Sequence, residues 1–296
     1  MKTEFACMTV LLLPFVSPAA ERHVDSVVKE ILTTVEAVKS VVPDAVPMAF
    51  WDFDGTIVKG DVTEGLEENG EQRFKGLVEE TAYAGLCSVY KGRDGWRQYS
   101  ERDYPRMNEI GRWLAWPYNA QLFEGRTVVS LDAFCKSKFE SVFRKWYFVS
   151  SLAMLNALEK AGVENYIVSA SPEMFVRNAA ETLGLPRSRF NGIRVAEHGG
   201  RFTTQLEYPV PYAEGKVEIV RRVVLSRPRG VAVAGFGNSY STDGAFLRYI
   251  VSQPLPGGVR GTALMINGGK PKPGFEGLFR CVEQSATAGH PSPSVQ

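Results

Sequence analysis

Histidine is the scarcest resource of this chain, with three in 296 residues. That is too little imidazole to build a His-rich metal centre or to make a Ser-His-Asp triad a natural first reading. Chemistry based on carboxylates and lysine is what remains. Cysteine is almost as rare, at four. Cys87, Cys135 and Cys281 are far apart and not at metal-ligand spacing; with Cys7 removed they are odd in number, which excludes a fully paired disulfide framework. One bridge in an exported protein and three buried thiols both stay open. Charge of one sign is missing too: the net value is +1, which gives no electrostatic footprint for nucleic acid or for a membrane surface. No segment approaches the ~20 apolar residues that span a bilayer, so no stable membrane span is expected. There is no internal repeat.

What is present suits a soluble globular protein of one large domain or two ordinary ones, 44% apolar and 23% charged. Residues 1–20 differ from the rest. A short polar start is followed by the apolar run Ala6–Val16 and by the small residues Ser17-Pro18-Ala19-Ala20. That layout resembles a secretory signal peptide, although Glu4 offsets Lys2 and prolines stand at 14 and 18. Removal would make the protein secreted or periplasmic. A retained apolar arm would leave it cytoplasmic.

From Glu21 to Val42 the residues Val24, Val27, Val28, Ile31, Leu32, Val35, Val38 and Val41 recur by three and four, which predicts an amphipathic helix ended by Pro43. A buried strand follows over about Val46–Asp54. Between Lys59 and Ser150 the pattern loses its alternation, is dense in Trp, Tyr and Arg, and contains no convincing strand; a mainly helical insertion over 59–150 is expected. Alternation then resumes. Asn165–Ser171 predicts a strand ending in hydroxyls, and Pro172 opens a helix through Leu183. Phe190–Ala196 and Arg201–Leu206 predict a hairpin. Tyr212–Leu225 is a helix carrying Lys216, Gly230–Gly237 a buried strand, and Gly261–Asn267 a last strand. The Ser/Pro/Gly-rich residues 285–296 read as a flexible tail. Strand and helix in alternation, with polar residues at strand ends, predict an α/β doubly wound parallel sheet whose core is 21–58 plus 151–284.

One stretch stands out. Pro47–Val58 carries Asp52-Phe53-Asp54-Gly55-Thr56 directly after the first strand, where open α/β sheets place their ligand sites. Side chains at i and i+2 of an extended chain share a side, so both carboxylates can face one ligand. Such a pair is tolerable where a hard cation lies between them or where one holds a proton. Ser169, Lys216, Asn238 and Asp243 fall at or near other strand and helix ends of the same sheet.

With those residues in place the chain resembles the haloacid dehalogenase superfamily over about Pro47–Asn267. Within it the chain looks most like the phosphoserine phosphatase-like branch, and in motif spacing like the phosphorylcholine phosphatases. The resemblance implies a Mg²⁺-dependent phosphomonoester hydrolase with a helical cap, acting on a small-molecule phosphomonoester. Asp52 would be the nucleophile that forms an aspartyl-phosphate, and Asp54 the general acid and base. Thr56, Ser169 and Lys216 would hold phosphate, and Asp52, Asp54, Asn238 and Asp243 would hold the metal. The family usually has Asp where this chain has Asn238, which implies weaker Mg²⁺ binding. Either Asn238 ligates and Asp243 supports it through water, or Asp243 moves in as the main carboxylate. Asp61 and Glu64 fall near positions that meet a substrate amine or choline in the branch. With abundant Trp and Tyr they suit a cationic head group, while Arg93, Arg97, Arg102 and Arg106 touch an anionic substrate or only water. A phosphotransferase, or a non-catalytic binder of phosphate or metabolite, are the alternatives.

Overall fold

The computed structural model describes residues 18–290. Its first helix, α1 (Pro18–Val41), buries Val24, Val27, Ile31, Val35 and Val38, the stripe that three-and-four spacing creates. All but the last three residues of the stretch expected as an export signal lie outside the described residues. Strand β1 (Val46–Trp51) then enters the centre of the sheet. Its residues are buried on both faces: Ala49 and Trp51 feed one core layer, Met48 and Phe50 the other. This is why the strand reads as a continuous apolar run. The Trp51 ring stacks on Phe236, and its Nε1 donates to Asn165 Oδ1 at 2.8 Å. Burying a large apolar side chain contributes about 1.5–3 kcal/mol, so these contacts hold the register that leaves Asp52 just beyond the last strand residue.

The inserted segment opens with a hairpin, β2 (Gly65–Glu68) and β3 (Glu71–Lys75). Helices α2 (Leu77–Tyr83), α3 (Gly92–Gln98), α4 (Tyr104–Ile110), α5 (Arg112–Gln121) and α6 (Val128–Ser141) follow. The hairpin corrects the expectation of an insertion without strands. Its Asn69-Gly70 turn has both residues at positive φ, 57° and 77°, as a tight hairpin requires. After α7 (Val149–Lys160) the chain returns to the sheet with β4 (Glu164–Pro172), then α8 (Glu173–Val176), α9 (Ala180–Leu183), β5 (Phe190–His198) and β6 (Arg201–Glu207). Next come α10 (Glu214–Ser226), β7 (Gly230–Gly237), α11 (Gly244–Ser252), β8 (Thr262–Ile266) and β9 (Arg280–Val282). The expected single helix after Pro172 is split at Arg177–Ala179. There Asn178 spends its side-chain amide on Met174 O at 2.8 Å and on Asp132, a local bond that competes with regular helix.

The sheet runs β6-β5-β4-β1-β7-β8-β9, parallel except for β6. The chain builds outward from β1 on one side and then on the other. The crevice at the carboxyl end of β1 is therefore a topological switch point, the place where such folds bind ligands. Residues 285–290 are not a free tail. Val149 N donates to Ala286 O, Ala288 N to Tyr147 O and Gly289 N to Lys145 O, and Thr287 is buried. Residues 291–296 lie outside the described residues. Cys87 and Cys135 are buried free thiols, and Cys281 is free and exposed. Among the described residues no helix is long and apolar enough to cross a membrane.

Candidate active site

A cavity of about 190 Å³ opens at that crevice, lined among others by Asp52, Asp54, Asp61, Thr63, Glu64, Ser171, Lys216 and Asn238. Asp52 follows β1, its backbone N–H still held by Phe236 O at 2.8 Å. Its carboxylate is spoken for on both oxygens. Lys216 Nζ donates to Oδ1 at 2.6 Å, and Thr56 Oγ1 to Oδ2 at 2.9 Å. Lys216 is wholly buried in the first turn of α10 and donates also to Asp243 Oδ1 at 2.7 Å. Asp243 Oδ2 in turn accepts the backbone N–H groups of Asn238 and Ser239, both at 2.9 Å. One ammonium thus ties the end of β1 to the loop after β7.

Asp54 is held differently. Its Oδ1 accepts Val62 N–H at 2.8 Å, and its Oδ2 accepts Ser171 Oγ at 2.7 Å and Ser169 Oγ at 3.3 Å. Ser169 is fully buried and also accepts Ser171 N–H at 3.0 Å. Ser171, one of the hydroxyls at the end of β4, is the one on the cavity wall. Gly55, at φ +75°, lies against Asn238: a Cβ there would stand 1.9 Å from Asn238 Nδ2. The Asp-Phe-Asp-Gly sequence needs its glycine because the side chain of residue 238 fills that space.

Burial and the Asp243 charge push the Asp52 carboxyl up to about 7, against the pull of Lys216. Burial raises Asp54 as well, opposed by the Val62 N–H and the two serines. Burial opposes the Lys216 ammonium, yet Asp243 and Asp52 together keep its proton affinity above the usual lysine range. Asp61 is raised well above an ordinary carboxyl, chiefly by burial, then by Asp54 and Glu64. Three carboxylates around one ammonium leave a negative excess that a hard cation would offset.

The donor set suits such a cation. The Asp52 carboxylate, the backbone carbonyl of Asp54 and the Asn238 amide offer only oxygen ligands among the groups a metal can use at the cavity. Among the described residues no three His, Cys, Asp or Glu side chains form a cage. Oxygen donors of this kind suit a hard cation such as Mg²⁺, which binds through one or two carboxylates and shares the rest of its shell with water and substrate phosphate. Asp243, expected as a ligand, does not line the cavity. Its Oδ2 braces the loop by accepting the Asn238 and Ser239 N–H groups.

On the side of the insertion, Asp61 Oδ1 accepts Thr63 N–H at 2.6 Å and Glu64 N–H at 3.0 Å, while Glu64 accepts the Tyr104 hydroxyl. Arg112, Trp116 and Asn119 of α5 complete that wall. Arg93, Arg97, Arg102 and Arg106 do not line it. Arg97 pairs with Glu101 at 3.0 Å and Arg102 with Asp103 at 2.8 Å. The arginine at the cavity is Arg112, whose guanidinium stands 5.2 Å from the Trp116 ring. Nothing in the local sequence separates it from the other four. The repeated Trp-Arg clustering was the only signal available.

A doubly wound sheet with an acidic pair at its switch point, a buried lysine opposite and an inserted segment over the cavity defines an open α/β protein with its candidate site at the carboxyl end of β1. The chain belongs to the haloacid dehalogenase-like hydrolases, whose family model matches residues 49–248. Among solved structures it is similar to a protein with unknown function from Bordetella pertussis Tohama I, at 16% identity and TM-score 0.61, covering 80% of this chain and 98% of that one. It is also similar to a conserved functionally unknown protein from Anaerococcus prevotii DSM 20548, at 16% identity and TM-score 0.53, covering 81% and 85%. A phosphoserine phosphatase in apo form aligns at 13% identity and TM-score 0.47, covering 81% and 94%. No curated protein sequence matches the chain.

Proposed function

We propose that the protein is a Mg²⁺-dependent phosphomonoester hydrolase of the phosphoserine phosphatase-like kind, working through an aspartyl-phosphate on Asp52. The observation that carries this reading is the unequal support of the two aspartates. Asp52 is gripped by a buried ammonium and a hydroxyl, one on each oxygen, which fixes the aim of its carboxylate. Asp54, on the cavity wall, has hydrogen-bond partners that can serve either protonation state. Asp52 would attack phosphorus in line. Asp54 would give its proton to the leaving alcohol and later take one from the attacking water. Lys216 and Thr56 hold the Asp52 carboxylate, and Lys216 and the hydroxyl-rich end of β4 would draw in phosphate oxygens. Asp52, the backbone carbonyl of Asp54 and Asn238 would hold Mg²⁺, which would neutralise charge on the transferring group. Asp61 and Glu64 line the far wall and favour a small substrate bearing an amine.

The test is hydrolysis of p-nitrophenyl phosphate with and without Mg²⁺, wild type against Asp52→Asn. Magnesium-dependent turnover absent from the variant is expected. Ligand binding without turnover across a broad panel of phosphomonoesters would instead identify a non-catalytic binder. Transfer to added alcohols in preference to water would identify a phosphotransferase.

A further inference from the structure

The turn Asp61–Glu64 carries the chain out of the core into the inserted segment, and it reaches back to Asp54 twice. Val62 N–H donates to Asp54 Oδ1. Thr63 Oγ1 donates to Ser171 Oγ at 2.8 Å, and Ser171 Oγ donates to Asp54 Oδ2 at 2.7 Å. Thr63 and Ser171 are both 5% exposed, and both stand on the cavity wall. The turn is itself braced by Asp61, which accepts two of its N–H groups. Asp52 has no such link to the insertion; its side-chain partners are Thr56 and Lys216.

The donor types decide what this chain of contacts can do. A backbone N–H only donates, so Oδ1 is kept as an acceptor. A hydroxyl can donate or accept, so Oδ2 can carry a proton and still keep Ser171 as its partner. We propose that Ser171 and Thr63 are positioning residues that make Oδ2 the proton-bearing oxygen of Asp54 and tie its aim to the seating of the inserted segment. The proposal rests on the hydrolase reading above. In the first transfer the Oδ2 proton passes to the leaving-group oxygen as its bond to phosphorus breaks and the bonding pair moves onto that oxygen. Without the Ser171 hydroxyl, Oδ2 keeps only the 3.3 Å contact from Ser169, and the carboxyl is free to turn about its last torsion.

A positioning role for a general acid has a signature that a structural role lacks. p-Nitrophenolate leaves without a proton, whereas benzyl alcohol needs one. The experiment measures kcat/KM, which reports the first transfer, for p-nitrophenyl phosphate and benzyl phosphate with wild type, Ser171→Ala, Thr63→Val and Thr63→Ser. General acid catalysis contributes roughly 10²–10⁴-fold. Ser171→Ala should therefore lower benzyl phosphate turnover by about tenfold or more, and p-nitrophenyl phosphate turnover far less. Thr63→Val should follow the same pattern more weakly, and Thr63→Ser should restore it. Equal losses on both substrates, or no loss on benzyl phosphate, would overturn the proposal while leaving the hydrolase reading intact. A folded wild-type protein inert toward both substrates with Mg²⁺ would overturn the hydrolase reading, and this proposal with it.

Discussion

Lys216 makes the centre tenable at the scale of single residues. It lies fully buried between Asp52 and Asp243, and removing one partner of such a cluster would leave uncompensated charge out of water. The balance still favours protons. Asp52 titrates near 7 in the folded chain, against 3.8 as its ordinary value. A carboxyl raised on folding binds a proton in the native state that the unfolded chain has already released. Its contribution is therefore most favourable below the unfolded value and declines as pH rises through about 3.8 to about 7. With chelator present, wild type should lose thermal stability across that window relative to Asp52→Asn, which cannot titrate. Saturating Mg²⁺ should remove most of the difference, because a cation favours the charged form. A wild-type protein that instead gains stability relative to the variant as pH rises would contradict the charge balance.

Asn238 is the other residue with a measurable consequence. It stands on the cavity wall where a carboxylate would add one negative charge, and a unit charge at ~4 Å contributes on the order of 1–4 kcal/mol. Asn238→Asp should raise Mg²⁺ affinity by about tenfold or more, read by titration calorimetry without substrate. Unchanged affinity would remove residue 238 from the metal site.

Among the secondary-structure elements, the turn between β1 and the β2–β3 hairpin has the most influence on the site. Gly76, just after β3, packs on it so closely that a Cβ would lie 2.2 Å from Thr63 O and 2.5 Å from the carbonyl carbon of Glu64. Gly76→Ala must push that backbone away and with it the Val62 contact to Asp54 and the Thr63 contact to Ser171. Turnover should fall by a larger factor than stability does, a comparison of kcat/KM with urea denaturation. The same turn shows what a sequence can and cannot disclose. β1, β4 and β7 were legible because strands buried on both faces are runs of apolar residues. β2 and β3 were not, because their sequences, Gly-Leu-Glu-Glu and Glu-Gln-Arg-Phe-Lys, present few apolar side chains. The Asn69-Gly70 pair between them was the available sign. At the site, Asp52, Asp54 and Ser169 were legible from strand ends and Lys216 from a helix start. The pairing of Thr63 with Ser171 joins residues 108 apart in sequence, and only the folded chain brings them together. Asp243 was legible as part of the centre, but its inward direction was not, since that follows from the loop folding its backbone N–H groups onto its own carboxylate.

For the whole molecule, the insertion is fastened to the core at several places, among them Asp132 to Arg177 and Asn178. Near the cavity it is held by the Asp61–Glu64 turn. On the far side Gly125 N–H and Val128 N–H donate to Phe202 O and Gly200 O of the β5–β6 hairpin, and Arg126 O accepts Phe202 N–H. A further strap closes beneath it, where residues 286–289 bond the backbone around 145–149 and His290 stacks on Trp146 at 4.4 Å. Each backbone hydrogen bond contributes about 0.5–1.5 kcal/mol net. Deleting residues 285–296 should therefore cost about 2–4 kcal/mol, measured by urea unfolding. A truncated chain as stable as the full one would show that the strap is not part of the folded unit.

Every step proposed for this site depends on Asp52 acting as the nucleophile. The most direct measurement is acid quenching of the protein during turnover of p-nitrophenyl phosphate with Mg²⁺, followed by peptide mass analysis. The expected result is one phosphoryl group on the peptide containing Asp52, on that residue, and none in Asp52→Asn. A phosphoryl group on another residue, or undiminished turnover by Asp52→Asn, would contradict it.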